Sequence, residues 1–134
     1  MANYYIRSTS AVTAQASAAI TADALSTGTK TEIDTTSSGN ANGVHALEFE
    51  IDVTVAPTTA GYAEIWCEPL QHDGTGNSAE FRISKVPIQI ATSADKYLCF
   101  YDGVIPEKAN YIIKAMDFGF TASLSVRGKY ASDT

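Results

Sequence analysis

The sequence is poor in the groups that chemistry at a protein site usually requires. Histidine occurs twice in 134 residues, as His45 and His72, so a Ser-His-Asp or Cys-His set has few places to form. His45 opens a strand-like run and His72 falls among turn formers, and neither stands in a nucleophile-elbow pattern. There is no His-Glu-x-x-His and no phosphate-cradling glycine loop. The expectation is a chain that is not an enzyme, with no catalytic residues and no cofactor.

Other absences narrow the class further. The two cysteines, Cys67 and Cys99, stand far apart inside apolar stretches. That is neither a Cys-x-x-Cys metal pair nor a dense disulfide framework; reduced core thiols are the expected state, and one disulfide is the alternative. No run of eighteen apolar residues occurs, and the first residues lack a basic segment followed by an apolar one. Membrane spanning and secretion are therefore not expected. Between Lys30 and Arg82 there is no Lys or Arg, while Glu32, Asp34, Glu48, Glu50, Asp52, Glu64, Glu68, Asp73 and Glu80 fall there or at its margin. If the strands of this segment shared one sheet, its outer face would be negative, and direct contact with nucleic acid would be disfavoured.

What is present is β periodicity. Leu47, Phe49, Ile51, Val53 and Val55 alternate with Glu48, Glu50, Asp52 and Thr54, the pattern of a strand with one buried and one wet face. After Pro57 and a Thr-Thr-Ala-Gly turn, Ala63, Ile65 and Cys67 take one face and Glu64, Trp66 and Glu68 the other. The run His72 to Ser78 concentrates turn formers, with Asp73-Gly74 supplying a residue able to take positive φ at a hairpin. Asp73, Thr75 and Asn77 carry oxygens at alternate positions, but too few carboxylates accompany them for a calcium loop, so no metal site is assigned. Further strands are expected at Phe81 to Ser84, Ile88 to Ile90, Tyr97 to Tyr101, Tyr111 to Phe118 and Ala122 to Tyr130.

With no βαβ alternation and seven or eight short strands, the fold class is all-β: an antiparallel β-sandwich, jelly-roll-like. Residues 1–43 are rich in Ser, Thr, Ala, Gly and Asn and poor in large apolar groups. Apolar residues at every second position from Val12 to Ala24 suit an extended strand or arm, and a short amphipathic helix is the rival reading. This Ser/Thr/Ala-rich segment is expected to be extended and to make contacts between subunits, leaving residues 44–134 as the sandwich core. Candidate interface residues are Trp66 with Glu64 and Glu68, and Val12 and Ile20 in the N-terminal segment. Trp66 reads as a sugar-stacking platform, an interface anchor, or the filler of a second buried face.

The order Glu64-Ile65-Trp66-Cys67-Glu68-Pro69-Leu70-Gln71-His72-Asp73-Gly74-Thr75, then Val104-Ile105-Pro106-Glu107-Lys108-Ala109-Asn110-Tyr111, then Ser125-Val126-Arg127-Gly128-Lys129-Tyr130, resembles small structural proteins of tailed-bacteriophage virions. The resemblance runs from about Val44 to the C-terminus, departing where Gly76 stands in place of an Asn followed by an aromatic residue. It implies a homo-oligomeric virion protein assembled in the host cytoplasm, docking on the major capsid protein lattice to decorate or cement the capsid exterior. The alternatives are a head-tail or tail subunit and, from another functional class, a carbohydrate-binding module.

Overall fold

The computed structural model describes residues 5–35 and 43–132 as ten antiparallel strands. They are β1 (Tyr5–Ser8), β2 (Val12–Ile20), β3 (Ile33–Asp34), β4 (Val44–Val55), β5 (Gly61–Pro69), β6 (Phe81–Arg82), β7 (Ile88–Ile90), β8 (Lys96–Tyr101), β9 (Lys108–Met116) and β10 (Phe120–Ser132). One sheet runs β1-β10-β4-β8, with β2 also paired to β10; the other runs β3-β9-β5-β6, with β7 also on β5.

The pairings nest. β2 pairs β10, β3 pairs β9, β4 pairs β8 and β5 pairs β7, as if one long hairpin centred between β5 and β7 had been rolled up. The rolling then brings β4 beside β10 and β5 beside β9. This is the wiring of a jelly roll.

The β4 alternation places the core as its periodicity requires. Leu47, Phe49, Ile51 and Val53 are buried against Ala63, Ile65 and Cys67 of β5, Tyr111, Ile113 and Ala115 of β9, and Ala122, Leu124 and Val126 of β10. The rings of Phe49 and Tyr111 meet edge to face across the two sheets, with centroids 5.1 Å apart. Burial of each large apolar side chain contributes about 1.5–3 kcal/mol, so this interlayer, rather than any single contact, holds the sheets together.

In the described part of the N-terminal segment, β1 and β2 are extended, as expected, and the helical alternative for Val12 to Ala24 is not adopted. This part nevertheless belongs to the sandwich instead of lying apart as an arm. One edge of β2 pairs with β10. On the other, Ala16 N–H donates to Thr29 O and Thr31 N–H to Ala14 O, both at 2.9 Å. The chain between then crosses to the second sheet, where Ser26 N–H donates to Ile113 O at 2.8 Å and Ala115 N–H to Ala24 O at 3.2 Å. Gly28 makes the crossing possible, because a Cβ there would collide with the Ala16 carbonyl. Small side chains bury little apolar area, but backbone hydrogen bonds do not depend on side-chain size, and here they close one side of the sandwich.

Two expected facings change. Register shifts around Leu124 carry Gln15 of β2 inward, so it is 1% exposed instead of lying on the wet face. Ile20, a candidate for contacts between subunits, is buried within the chain's own core. Val12 remains exposed.

Candidate functional site

The residues singled out on β5 do share a face, the outer face of the second sheet. Register sets Glu64 opposite Lys114, Trp66 opposite Ile112, and Glu68 opposite Asn110 on β9. β6 brings Arg82 opposite Trp66 from the other side. Glu64 is 3% exposed because both carboxylate oxygens are engaged: Trp66 Nε1 donates to Oε1 at 3.3 Å and Arg82 Nη1 to Oε2 at 2.8 Å. The Lys114 ammonium lies 5.1 Å from the centre of the Trp66 ring, a cation-on-ring contact that occupies one ring face.

Farther along the strand, Glu68 accepts from Lys30 Nζ at 3.3 Å and from Asn110 Nδ2 at 3.0 Å. Trp66 is half-buried, so it is neither a bare stacking platform nor a core residue. Glu64, Trp66 and Glu68 form a fixed polar strip whose carboxylates are already partnered.

The first sheet carries a second network on its outer face. Glu48 of β4 is 8% exposed, although its alternation places it on the wet side. Arg127 of β10 reaches its Oε1 at 2.7 Å through Nη2, and Lys129 reaches Oε2 at 3.2 Å. Burial alone would raise the Glu48 carboxyl, but hydrogen bonds from Lys129 and Arg127, together with their charges, outweigh it and hold the group below its usual range.

The uniformly acidic face is therefore not what the fold builds. β4 and β5 enter different sheets, and basic residues from outside the acidic segment settle on both: Arg127, Lys129 and Lys96 around β4, Arg82 and Lys30 around β5.

Beside these charges, β8 exposes Leu98 and Phe100 at 53% and 67%. Sequence reading left this pair unassigned. Alternation across Lys96–Tyr101 was legible, but aromatic and apolar residues occupy both faces of the strand, so hydrophobicity could not say which face is outer. Packing decides it: Tyr97, Cys99 and Tyr101 lie against the core.

The Asp73-Gly74 turn forms as its residues dictate. Gly74 has φ of 73°, Asp73 Oδ1 accepts from both the Thr75 amide at 3.0 Å and the Thr75 hydroxyl at 2.9 Å, and these bonds lower the Asp73 carboxyl. Its carboxylate is engaged in shaping the loop. His45 lies on β4 and His72 in the loop after β5, both exposed. Among the described residues no group of three or more His, Cys, Asp or Glu side chains is placed to hold a metal ion. Cys67 is buried and Cys99 half-buried, both as thiols, and burial, reinforced by the Glu68 charge, pushes Cys67 up to about 11.

No protein-family model matches the chain, and no curated protein does. Among solved structures, a chain in the structure of infectious bursal disease virus, Gx strain, aligns with 96% of this chain at a TM-score of 0.45 and 16% identity. The alignment covers 34% of that viral chain. Similarity of this degree assigns neither family nor activity.

Proposed function

We propose that the chain is a non-enzymatic structural protein of a tailed-phage virion, decorating or cementing the capsid exterior. In this reading it packs on the major capsid protein lattice and associates with further copies of itself, and neither nucleic acid nor membrane is a partner.

The observation that carries the reading is the wiring. Nested pairing of β2 with β10, β3 with β9, β4 with β8 and β5 with β7 makes an eight-strand jelly roll, an architecture shared by viral capsid and lectin domains. Since fold does not fix function, the surfaces must choose between those two. A sugar-binding face needs an aromatic ring open for stacking, and Trp66 has the Lys114 ammonium over its ring. An assembly subunit needs apolar surface at an edge, and β8 exposes Leu98 and Phe100. Both features favour the structural role.

The test is immunogold labelling of intact virions with an antibody against this chain, alongside a glycan array probed with the isolated protein. Label on the outside of heads is expected. Label confined to necks or tails would move the role to a head-tail or tail subunit. Glycan binding abolished by Trp66→Ala, with unlabelled particles, would replace the reading by a carbohydrate-binding one.

A further inference from the structure

The sandwich protects its strand edges unevenly. Exposed edges invite pairing with other chains, and proteins blunt them by shortness, proline, charge or a covering segment. β3 and β6 are two residues long and β7 is three, with Pro87 just before it. The outer edge of β2 is covered by Thr29 to Thr31. β8 is protected only at its start, where Lys96 carries a charge and its N–H donates to Asp95 Oδ1 at 2.8 Å; it has no proline and, among the described residues, no covering segment. It runs for six residues, pairs on one side with β4, and has no strand partner on the other among the described residues.

The ladder fixes which groups face outward along that edge. Val53 N–H donates to Asp95 O at 3.0 Å, which makes this a hydrogen-bonded position. Bonded and non-bonded positions alternate along an antiparallel pair. With the register of Ile51 on Tyr97, Phe49 on Cys99 and Leu47 on Tyr101, those three β8 residues bond toward β4. The backbone groups of Lys96, Leu98 and Phe100 point away from it, toward the open edge, where the Lys96 N–H is held by its neighbour Asp95 Oδ1 at 2.8 Å. The same three residues carry exposed side chains on the outer face of the sheet.

We infer that β8 is a homodimer interface, pairing antiparallel with β8 of a second copy about a two-fold axis through Cys99. Outward-bonding residues must oppose outward-bonding residues, which restricts the register to a few choices. Centring on Cys99 sets Leu98 opposite Phe100 of the partner copy, and Lys96 opposite the exposed Asp102. By symmetry each pair occurs twice. Centring on Leu98 would instead oppose Lys96 to Phe100, and centring on Phe100 would oppose Leu98 to Asp102. Charge complementarity therefore selects the Cys99 register. The two Cys99 residues then occupy a non-bonded position, where Cα atoms approach to about 4.5 Å, within disulfide reach.

This inference deepens the self-association in the function proposed above and names the surface responsible. A six-residue edge is smaller than a standard interface, so the expected dimer is weak and reversible, with a Kd of about 10 μM to 1 mM. Sedimentation equilibrium of the whole chain should show it. Asp102→Lys opposes two lysines twice over and should weaken the dimer about tenfold or more, while adding Lys96→Asp should restore most of the loss. Both positions are exposed, so the monomers should fold, which thermal melting checks.

Diamide, taking two electrons and two protons from a thiol pair, should cross-link the wild type and Cys67→Ser but not Cys99→Ser. A chain monomeric up to about 1 mM, a dimer indifferent to Asp102→Lys, or one not cross-linked through Cys99 would overturn the inference. Failure here leaves the virion-labelling result standing, and unlabelled virions would leave a measured β8 dimer standing.

Discussion

Gln15 offers the sharpest test of how the N-terminal segment is held. Its side chain ties three pieces of chain together: Nε2 donates to Ser26 O at 3.1 Å and Gly28 O at 3.2 Å, and Oε1 accepts from the Ile113 amide at 3.0 Å. The perturbation is Gln15→Ala. It strands the Ile113 N–H in a buried place, at about 1–3 kcal/mol, and removes one donor from each of two carbonyls, at about 0.5–1.5 kcal/mol each. The carbonyls lose less than the amide because each has a second lone pair. Loss of packed methylene adds about 0.8 kcal/mol. The expected total is about 3–7 kcal/mol, a large part of the roughly 5–15 kcal/mol that holds a domain folded. Urea denaturation followed by fluorescence of Trp66, the single tryptophan, reads the change as a shift in midpoint at constant slope. Ser17→Ala, exposed on the same strand, should stay within about 0.5 kcal/mol and serves as the control. A Gln15→Ala loss below about 1 kcal/mol would refute the account and return the segment to the status of a loosely attached arm.

Three further outcomes follow from the same structure. Phe49→Ala should cost about 3–5 kcal/mol, since the ring is fully buried against Tyr111, whereas Glu50→Ala, losing an exposed ion pair with Lys96, should be nearly silent in the same denaturation assay. Tyr111→Phe should raise the melting temperature, because the buried hydroxyl has no hydrogen-bond partner among the described residues and removing it relieves about 1 kcal/mol or more of desolvation; a fall would mean that the hydroxyl is bonded. Because the folded Glu48 carboxyl is held below its unfolded value, its contribution is present above the unfolded pKa and lost as pH falls through the folded one. Lys129→Met should therefore move the acid-unfolding midpoint to higher pH, and an unmoved midpoint would show that the pair does not carry the acid stability.

Class and core were written into local sequence. A period of two depends only on neighbours along the strand, so the alternation from Leu47 to Val53 placed its apolar residues inward without reference to any other element. The Asp73-Gly74 turn was likewise legible, because positive φ and the aspartate's hydrogen bonds to Thr75 are settled within a few residues. Periodicity fails where a pairing partner sets the facing. Gln15 turned inward because β2 shifts register against Leu124 of β10, a strand about a hundred residues away in sequence.

The acidic face failed for a related reason. Between Lys30 and Arg82 the chain carries no Lys or Arg, yet Arg127 and Lys129 reach Glu48, and Arg82 and Lys30 reach Glu64 and Glu68. Charge compensation acts over a few ångströms of space, and sequence separation does not measure it. The sequence by itself determined that this protein is made of strands and which β4 residues form its core. Tertiary structure alone decided that Glu48 and Glu64 are buried in ion pairs, that the N-terminal strand closes the sandwich, and that Leu98 and Phe100 are left at an open edge, because each depends on strand order, which is fixed by long-range pairing.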